Sequence, residues 1–128
     1  MNDSNEKPVV LVVDDIPANI KVLASFLEQD YRVIAATSGE RALQIVSAAP
    51  PDILLLDIRM PDMDGFAVCE ALQAMESARK IPILFVTGES DPEEEAHALA
   101  SGAVGLIAKP VIPSVVLAHV KRALLSLA

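Results

Sequence analysis

The chain reads as a three-layer α/β/α sandwich around a parallel sheet, and three observations predict it. Short apolar runs alternate five times with segments whose apolar residues recur at helical spacing. One run, Ile53-Leu54-Leu55-Leu56-Asp57, is unbroken, as strands covered on both faces are. The runs also end in polar residues, at the edge where open α/β sheets bind ligands. Such alternation implies right-handed crossovers and helices on both faces.

The elements follow in order. Pro8-Val9-Val10-Leu11-Val12-Val13 is a strand with proline only at its first position, and it ends in Asp14 and Asp15. Pro17 is a first-turn helix residue, and Ile20, Leu23 and Leu27 mark the helix face. Tyr31 to Ala36 is the second strand. Thr37 or Ser38 caps the next helix, with Glu40 in capping-box position relative to Thr37 and Ala42, Leu43, Ile45 and Val46 as its apolar face. Pro50-Pro51 stops it. The central strand runs to Asp57, and the proline, aspartates and glycine of Arg59 to Gly65 make a loop. Phe66, Val68, Leu72 and Met75 mark the third helix. Ile83 to Val86 is a strand ending at Thr87 and Gly88. Asp91-Pro92-Glu93-Glu94-Glu95 starts a helix with a capping acid, a first-position proline and acids at the positive end of the dipole. Gly102 ends that helix, Val104 to Ala108 is the fifth strand, and Lys109-Pro110 breaks it. Pro113 starts a last helix striped by Leu117, Val120, Leu124 and Leu127.

A chain of 128 residues, 52% of them hydrophobic, holds one domain with a real core, and residues 1–7 form a polar tail. The expected organisation is a single domain over 1–128 with no effector domain in the chain. No apolar stretch reaches the roughly 18 residues of a membrane span. A cytoplasmic location is expected, with no membrane contact. Cys69, the single cysteine, has no disulfide partner and reads as a small buried hydrophobe. A net charge of −8 argues against nucleic-acid contact and suits a site that attracts divalent cations.

Asp57 alone would read as a cap or loop aspartate. With Asp14, Asp15, Thr87 and Lys109 it forms a set: three carboxylates, a hydroxyl and an ammonium at one sheet edge. Clustered carboxylates repel one another, and a hard cation that takes few protein oxygens and keeps its waters, such as Mg²⁺, keeps them ionised. Phosphoryl transfer to a carboxylate needs the same inventory, with one carboxylate as nucleophile.

These residues carry a resemblance. Val12-Val13-Asp14-Asp15, the run from Asp57 through Arg59-Met60-Pro61 to Gly65, Thr87-Gly88 and Lys109-Pro110 make the chain, from Val9 to its last helix, similar to the response regulator receiver domains of two-component signalling. The resemblance implies a flavodoxin-like (βα)5 fold with sheet order 2-1-3-4-5 and a phosphorelay role. It makes Asp57 the phosphoacceptor, supplied by phosphohistidine on a sensor histidine kinase or a phosphotransfer protein. It gives Mg²⁺, for which Mn²⁺ substitutes, Asp15, Asp57 and the backbone carbonyl of Arg59 as direct ligands and Asp14 through water. Thr87 and Lys109 would contact the phosphoryl oxygens, with Gly88 beside them, and Lys109-Pro110 would be a cis peptide.

Two departures stand out. The strand-five position where the family usually carries an aromatic switch residue is Leu106, and Gly102-Ala103-Val104-Gly105 lacks the acidic pair often found there. Output is therefore expected through the loop after Thr87 and the following helix rather than an aromatic, to an output domain or effector protein. Dimerisation through the last two helices is the expected consequence, Glu93-Glu94-Glu95 facing Lys121-Arg122; the alternative is a solvated surface. Arg59 and Glu89 are expected to pair over the site mouth and limit dephosphorylation, or else to be two solvated charges. The segments Asp14 to Ile20 and Pro113 to Arg122 resemble receivers attached to cyclic-di-GMP enzymes or hybrid kinases. The expected protein is a switch, not an enzyme on other substrates. A Mg²⁺-dependent phosphatase of haloacid dehalogenase type needs an aspartate where Arg59 stands, and a flavin module needs a phosphate loop and aromatics that are missing here.

Overall fold

The computed structural model describes residues 6–88 and 92–125. In chain order it has β1 (Val9–Val13), α1 (Pro17–Leu27), β2 (Arg32–Ala36), α2 (Gly39–Ala48), β3 (Ile53–Asp57), α3 (Gly65–Gln73), β4 (Ile83–Thr87), α4 (Pro92–Ala100), β5 (Gly105–Ala108) and α5 (Pro113–Leu125). The five strands are all parallel, in the order β2-β1-β3-β4-β5. The expected fold class and strand order are both present.

Alternation along each strand builds two cores. Leu11, Val13, Leu54, Leu56, Ile83 and Phe85 face Ala42, Val46, Val68, Cys69, Leu72 and Ala98 of α2, α3 and α4. Val10, Val12, Ile53, Leu55, Leu84, Val86 and Ile107 face Leu23, Leu27, Val116, Val120 and Ala123 of α1 and α5. Both faces of β3 and β4 are therefore covered, and all five residues of each are buried. Each fully buried aliphatic side chain contributes roughly 1.5–3 kcal/mol over its exposed state. No helix among the described residues is long and apolar enough to cross a membrane.

Several boundaries differ from the sequence expectation by a residue or two. Tyr31 precedes β2, because its backbone N–H still bonds the Leu27 carbonyl at the end of α1. Met75 lies past α3, its N–H turned back to Leu72, and Val104 lies before β5. Ser38 is the cap of α2, accepting from the Arg41 N–H at 3.1 Å, which leaves Glu40 one position short of a capping box. Gly102 follows α4 with φ 98°, a left-handed conformation that glycine adopts without penalty. Asp91, Leu127 and the first five residues of the tail lie outside the described residues.

Strand order places the crevice. The chain goes to one side of β1 for β2 and returns to the other for β3, so the loops after β1 and β3 diverge and leave a gap at their carboxyl ends. Asp14 follows β1, and Asp57 closes β3.

Candidate phosphoryl and metal site

Asp14, Asp15 and Asp57 stand around that gap, each offering a carboxylate oxygen within 4.8 Å of the others. Asp14 is 2% exposed and Asp57 6%. Asp14 is tethered on both oxygens. The Ile16 N–H donates to Oδ1 at 2.9 Å, and the Asn19 side chain donates from Nδ2 to Oδ2 at 3.1 Å. The first contact is an Asx turn that starts α1, whose N-cap Ile16 has no side chain able to cap. Asp15 is half-buried, and none of the hydrogen bonds or ion pairs among the described residues reaches its carboxylate.

Lys109 enters from the end of β5, where its N–H bonds the Thr87 carbonyl at 2.8 Å. Its Nζ lies 3.4 Å from Asp14 Oδ2 and 3.5 Å from Asp57 Oδ1, so one ammonium is shared by two carboxylates. Its stem lies beside Gly88. Thr87 closes β4 and is 1% exposed. The Lys109–Pro110 peptide is cis.

Burial pushes the Asp57 carboxyl above the ordinary carboxylate range. Lys109 pulls it back and Asp14 and Asp15 push it up again, and the net direction is upward. A divalent cation would offset the charge gathered by these three carboxylates. Three hard oxygen donors, two of them nearly dry, with one ammonium among them, fit Mg²⁺ by donor chemistry.

The loop from β3 to α3 holds the site from below. The Gly65 N–H bonds the Ile58 carbonyl at 2.8 Å, and a Cβ on Gly65 would run into the Asp57 carbonyl oxygen. Asp62 has φ 67° and is bridged by a 2.7 Å bond from the Met63 N–H to the Pro61 carbonyl, a γ-turn that stores strain near the site.

Arg59 is exposed, and its guanidinium pairs with Glu94 of α4 at 3.1 Å. Glu89, its expected partner, lies outside the described residues. Leu106 is half-buried and packs into the α2–α3–α4 core, in register with Phe85. The roles of Asn19, Glu94 and Gly65 were missed by sequence reasoning. Asn19 carried a signal: it is the third residue of a helix that starts just after Asp14, and helical side chains lean back toward the N-terminus.

A family model for the response regulator receiver domain matches residues 10–121. A probable cyclic di-GMP phosphodiesterase of Vibrio cholerae is 43% identical over 80% of this chain and 23% of its own length. Response regulator PleD of Caulobacter vibrioides is 38% identical over 88% of the chain and 25% of its own. The chain thus spans about a quarter of the length of these relatives. Among solved structures, the signal receiver domain of a signal transduction histidine kinase from Syntrophus aciditrophicus superposes with a TM-score of 0.85 at 34% identity, covering 93% of this chain and 91% of that one. The strand order, the carboxylates at the β1/β3 gap and the match over nearly the whole chain lead to one conclusion: this chain belongs to the response regulator receiver domain family.

Proposed function

We propose that Asp57 is the phosphoacceptor of a two-component phosphorelay. A carboxylate oxygen of Asp57 attacks the phosphorus of a phosphohistidine, the P–N bond breaks, the imidazole keeps its electron pair, and an acyl phosphate forms on Asp57. The observation that carries this reading is the buried Asp57 carboxylate sharing one ammonium with Asp14 beside the carboxylate of Asp15. Lys109 balances charge on the transferred group, and the Thr87 hydroxyl donates to it. Asp14, Asp15, Asp57 and the backbone carbonyl of Arg59 would hold Mg²⁺, with Mn²⁺ able to replace it. When bound, the cation neutralises the charge gathered on the phosphoryl oxygens.

The donor is a sensor histidine kinase or a histidine phosphotransfer protein, and the setting is cytoplasmic. The domain transfers phosphoryl groups only to and from itself. Its output passes from Thr87 and Gly88 to α4 and the α4–β5–α5 face, to an attached output domain, an effector or a second copy, without an aromatic at Leu106. Leu99, Val104 and Val115 on that face are exposed.

Acetyl phosphate with Mg²⁺, followed by intact mass, tests the reading. A phosphoryl adduct on the wild type and none on Asp57→Asn is expected. An adduct on both, or on neither, overturns it.

A further inference from the structure

Asp14 Oδ2 has two donors of different kinds, Lys109 Nζ at 3.4 Å and Asn19 Nδ2 at 3.1 Å. Lys109 also reaches Asp57 Oδ1 at 3.5 Å, so it stands between two anions at nearly equal and rather long distances. If Asp57 takes a phosphoryl group, the ammonium has a more highly charged neighbour and is drawn from Asp14 toward it. A buried carboxylate that loses its only side-chain donor is left undersolvated and free to swing. Asn19 prevents this. Its amide is neutral, so it fixes Oδ2 without cancelling the negative charge that a cation requires. Its bond is the shorter of the two and does not depend on Lys109.

We infer that Asn19 is a positioning residue of the metal and phosphoryl site: it holds the Asp14 carboxylate in its cation-facing orientation and thereby releases Lys109 to follow the phosphoryl group. The placement is built into the chain. The Asx turn from Asp14 to Ile16 starts α1, and Asn19 occupies the third position of that helix, within reach of the same carboxylate. The two contacts hold Asp14 from both oxygens, whereas Asp15 beside it is left without a donor among the described residues. That division matches an outer carboxylate fixed by the protein and an inner one reserved for the ion. The inference rests on the proposed function, of which it names one further part.

Three variants and the wild type test it: Asn19→Leu removes the donor at similar size, Asn19→Asp removes it and adds charge, and Lys21→Gly loosens the same helix at an exposed position without touching Asp14. Mg²⁺ affinity is measured by calorimetry on unphosphorylated protein, and phosphorylation by acetyl phosphate is followed as a function of Mg²⁺ concentration. Asn19→Leu is expected to weaken Mg²⁺ binding by about tenfold. Its phosphorylation rate should fall at low Mg²⁺ and recover largely at saturation, while Lys21→Gly stays within about twofold of wild type in affinity. A merely structural Asn19 would give Asn19→Leu and Lys21→Gly the same lowered melting temperature and the same unchanged Mg²⁺ affinity. That result overturns the inference. So does restored affinity in Asn19→Asp together with a wild-type rate at low Mg²⁺, since no donor is then needed. A wild type that binds no Mg²⁺ and takes no phosphoryl group overturns the proposed function itself, a failure visible before any variant is compared.

Discussion

Arg59 and Glu94 tie the loop after β3 to α4, Nη2 to Oε2 at 3.1 Å. Arg59 is two residues beyond Asp57, and α4 is the helix through which output is proposed to pass, so the pair spans the step from chemistry to readout. The Arg59 side chain is 63% exposed, which limits what the bridge adds to stability to about 0–1 kcal/mol. Arg59→Ala and Glu94→Ala should each leave the melting temperature within a few degrees while raising amide exchange in the first turn of α4. Unchanged exchange in both would remove the bridge from the output path.

Asp57 stability runs opposite to the usual carboxylate. Its folded pKa is raised, chiefly by burial, so the ionised form is disfavoured in the fold relative to the unfolded chain. The penalty is fully present above the folded pKa and is relieved as pH falls through it toward the unfolded value. Asp57→Asn removes the charge while keeping the shape. Metal-free Asp57→Asn should therefore melt higher than wild type at pH 7, with the gap closing as pH falls through the raised folded pKa to the ordinary carboxylate value. Mg²⁺ should reverse the order by stabilising only the wild type, about 2.7 kcal/mol at a hundredfold excess over Kd. Thermal melts at three pH values with and without Mg²⁺ decide this, and an Asp57→Asn that melts lower than metal-free wild type would contradict it.

Gly65 is fixed by its neighbour rather than by its φ. An added methyl meets the Asp57 carbonyl oxygen and the Ile58 Cα, both backbone, so nothing nearby can swing aside. Gly65→Ala should cost about 1–3 kcal/mol by overpacking and slow phosphorylation by displacing Asp57. Urea unfolding and the acetyl phosphate rate are the measurements. A wild-type midpoint would mean that the loop has slack the structure does not show.

Cys69 should be inert. It is fully buried among the α3 and strand side chains and donates from Sγ to the Ser101 carbonyl at 3.4 Å. Burial pushes the thiol pKa up, against a smaller pull from the Ser101 hydroxyl, and the thiolate is the reactive form. Iodoacetamide at pH 8 should modify native protein only as fast as it unfolds and urea-unfolded protein readily. Fast modification of the native chain would mean that α3 opens locally.

What was legible in the sequence is what has a local signature. Unbroken apolar runs ending in Asp14, Asp57, Thr87 and Lys109 located the strands and their polar ends, and the motifs around them carried the order of the sheet. Asp14, Asp15, Asp57 and Lys109 then gather within hydrogen-bonding or ligand distance. The ends of elements were less legible, since Tyr31 and Met75 pack on the core from turns as well as residues of strands or helices do, and Val104 is an exposed apolar residue just before β5. Pairings between long side chains on separate loops left no trace in spacing. Arg59 could be read as reaching toward the strand-four loop, but nothing in the sequence pointed to Glu94, whose place depends on where α4 lies. Asn19 looked like an ordinary helix residue, and its one signal was its place in the first turn after Asp14, from which its side chain leans back onto that carboxylate.

Three rings lie beneath α4, where Leu106 offers none. Phe85 of β4 is fully buried, Phe66 of α3 meets it edge-on with centroids 5.3 Å apart, and His97 of α4 stacks on Phe66 at 3.9 Å and 13°. The helix thus rests on a column of rings that starts two residues before Thr87. Aromatic contacts of this kind contribute about 0.5–1.5 kcal/mol beyond the area they bury. If Thr87 moves toward a phosphoryl group, strand four and α4 shift against each other, and the outermost contact, His97 on Phe66, is the one free to part. In the resting protein, stacking should shift the His97 ring protons upfield through the ring current of Phe66. Beryllofluoride, which mimics a phosphoryl group on a carboxylate, should move those protons toward free-histidine values in wild type, and Phe66→Leu should abolish the resting upfield shift. His97→Ala should cost about 1 kcal/mol or less in stability yet speed exchange across α4 in the resting state. Resting and beryllofluoride-treated spectra with the same His97 shifts, alongside exchange changes confined to the Asp57 loop, would mean that α4 does not move and that the domain is read elsewhere.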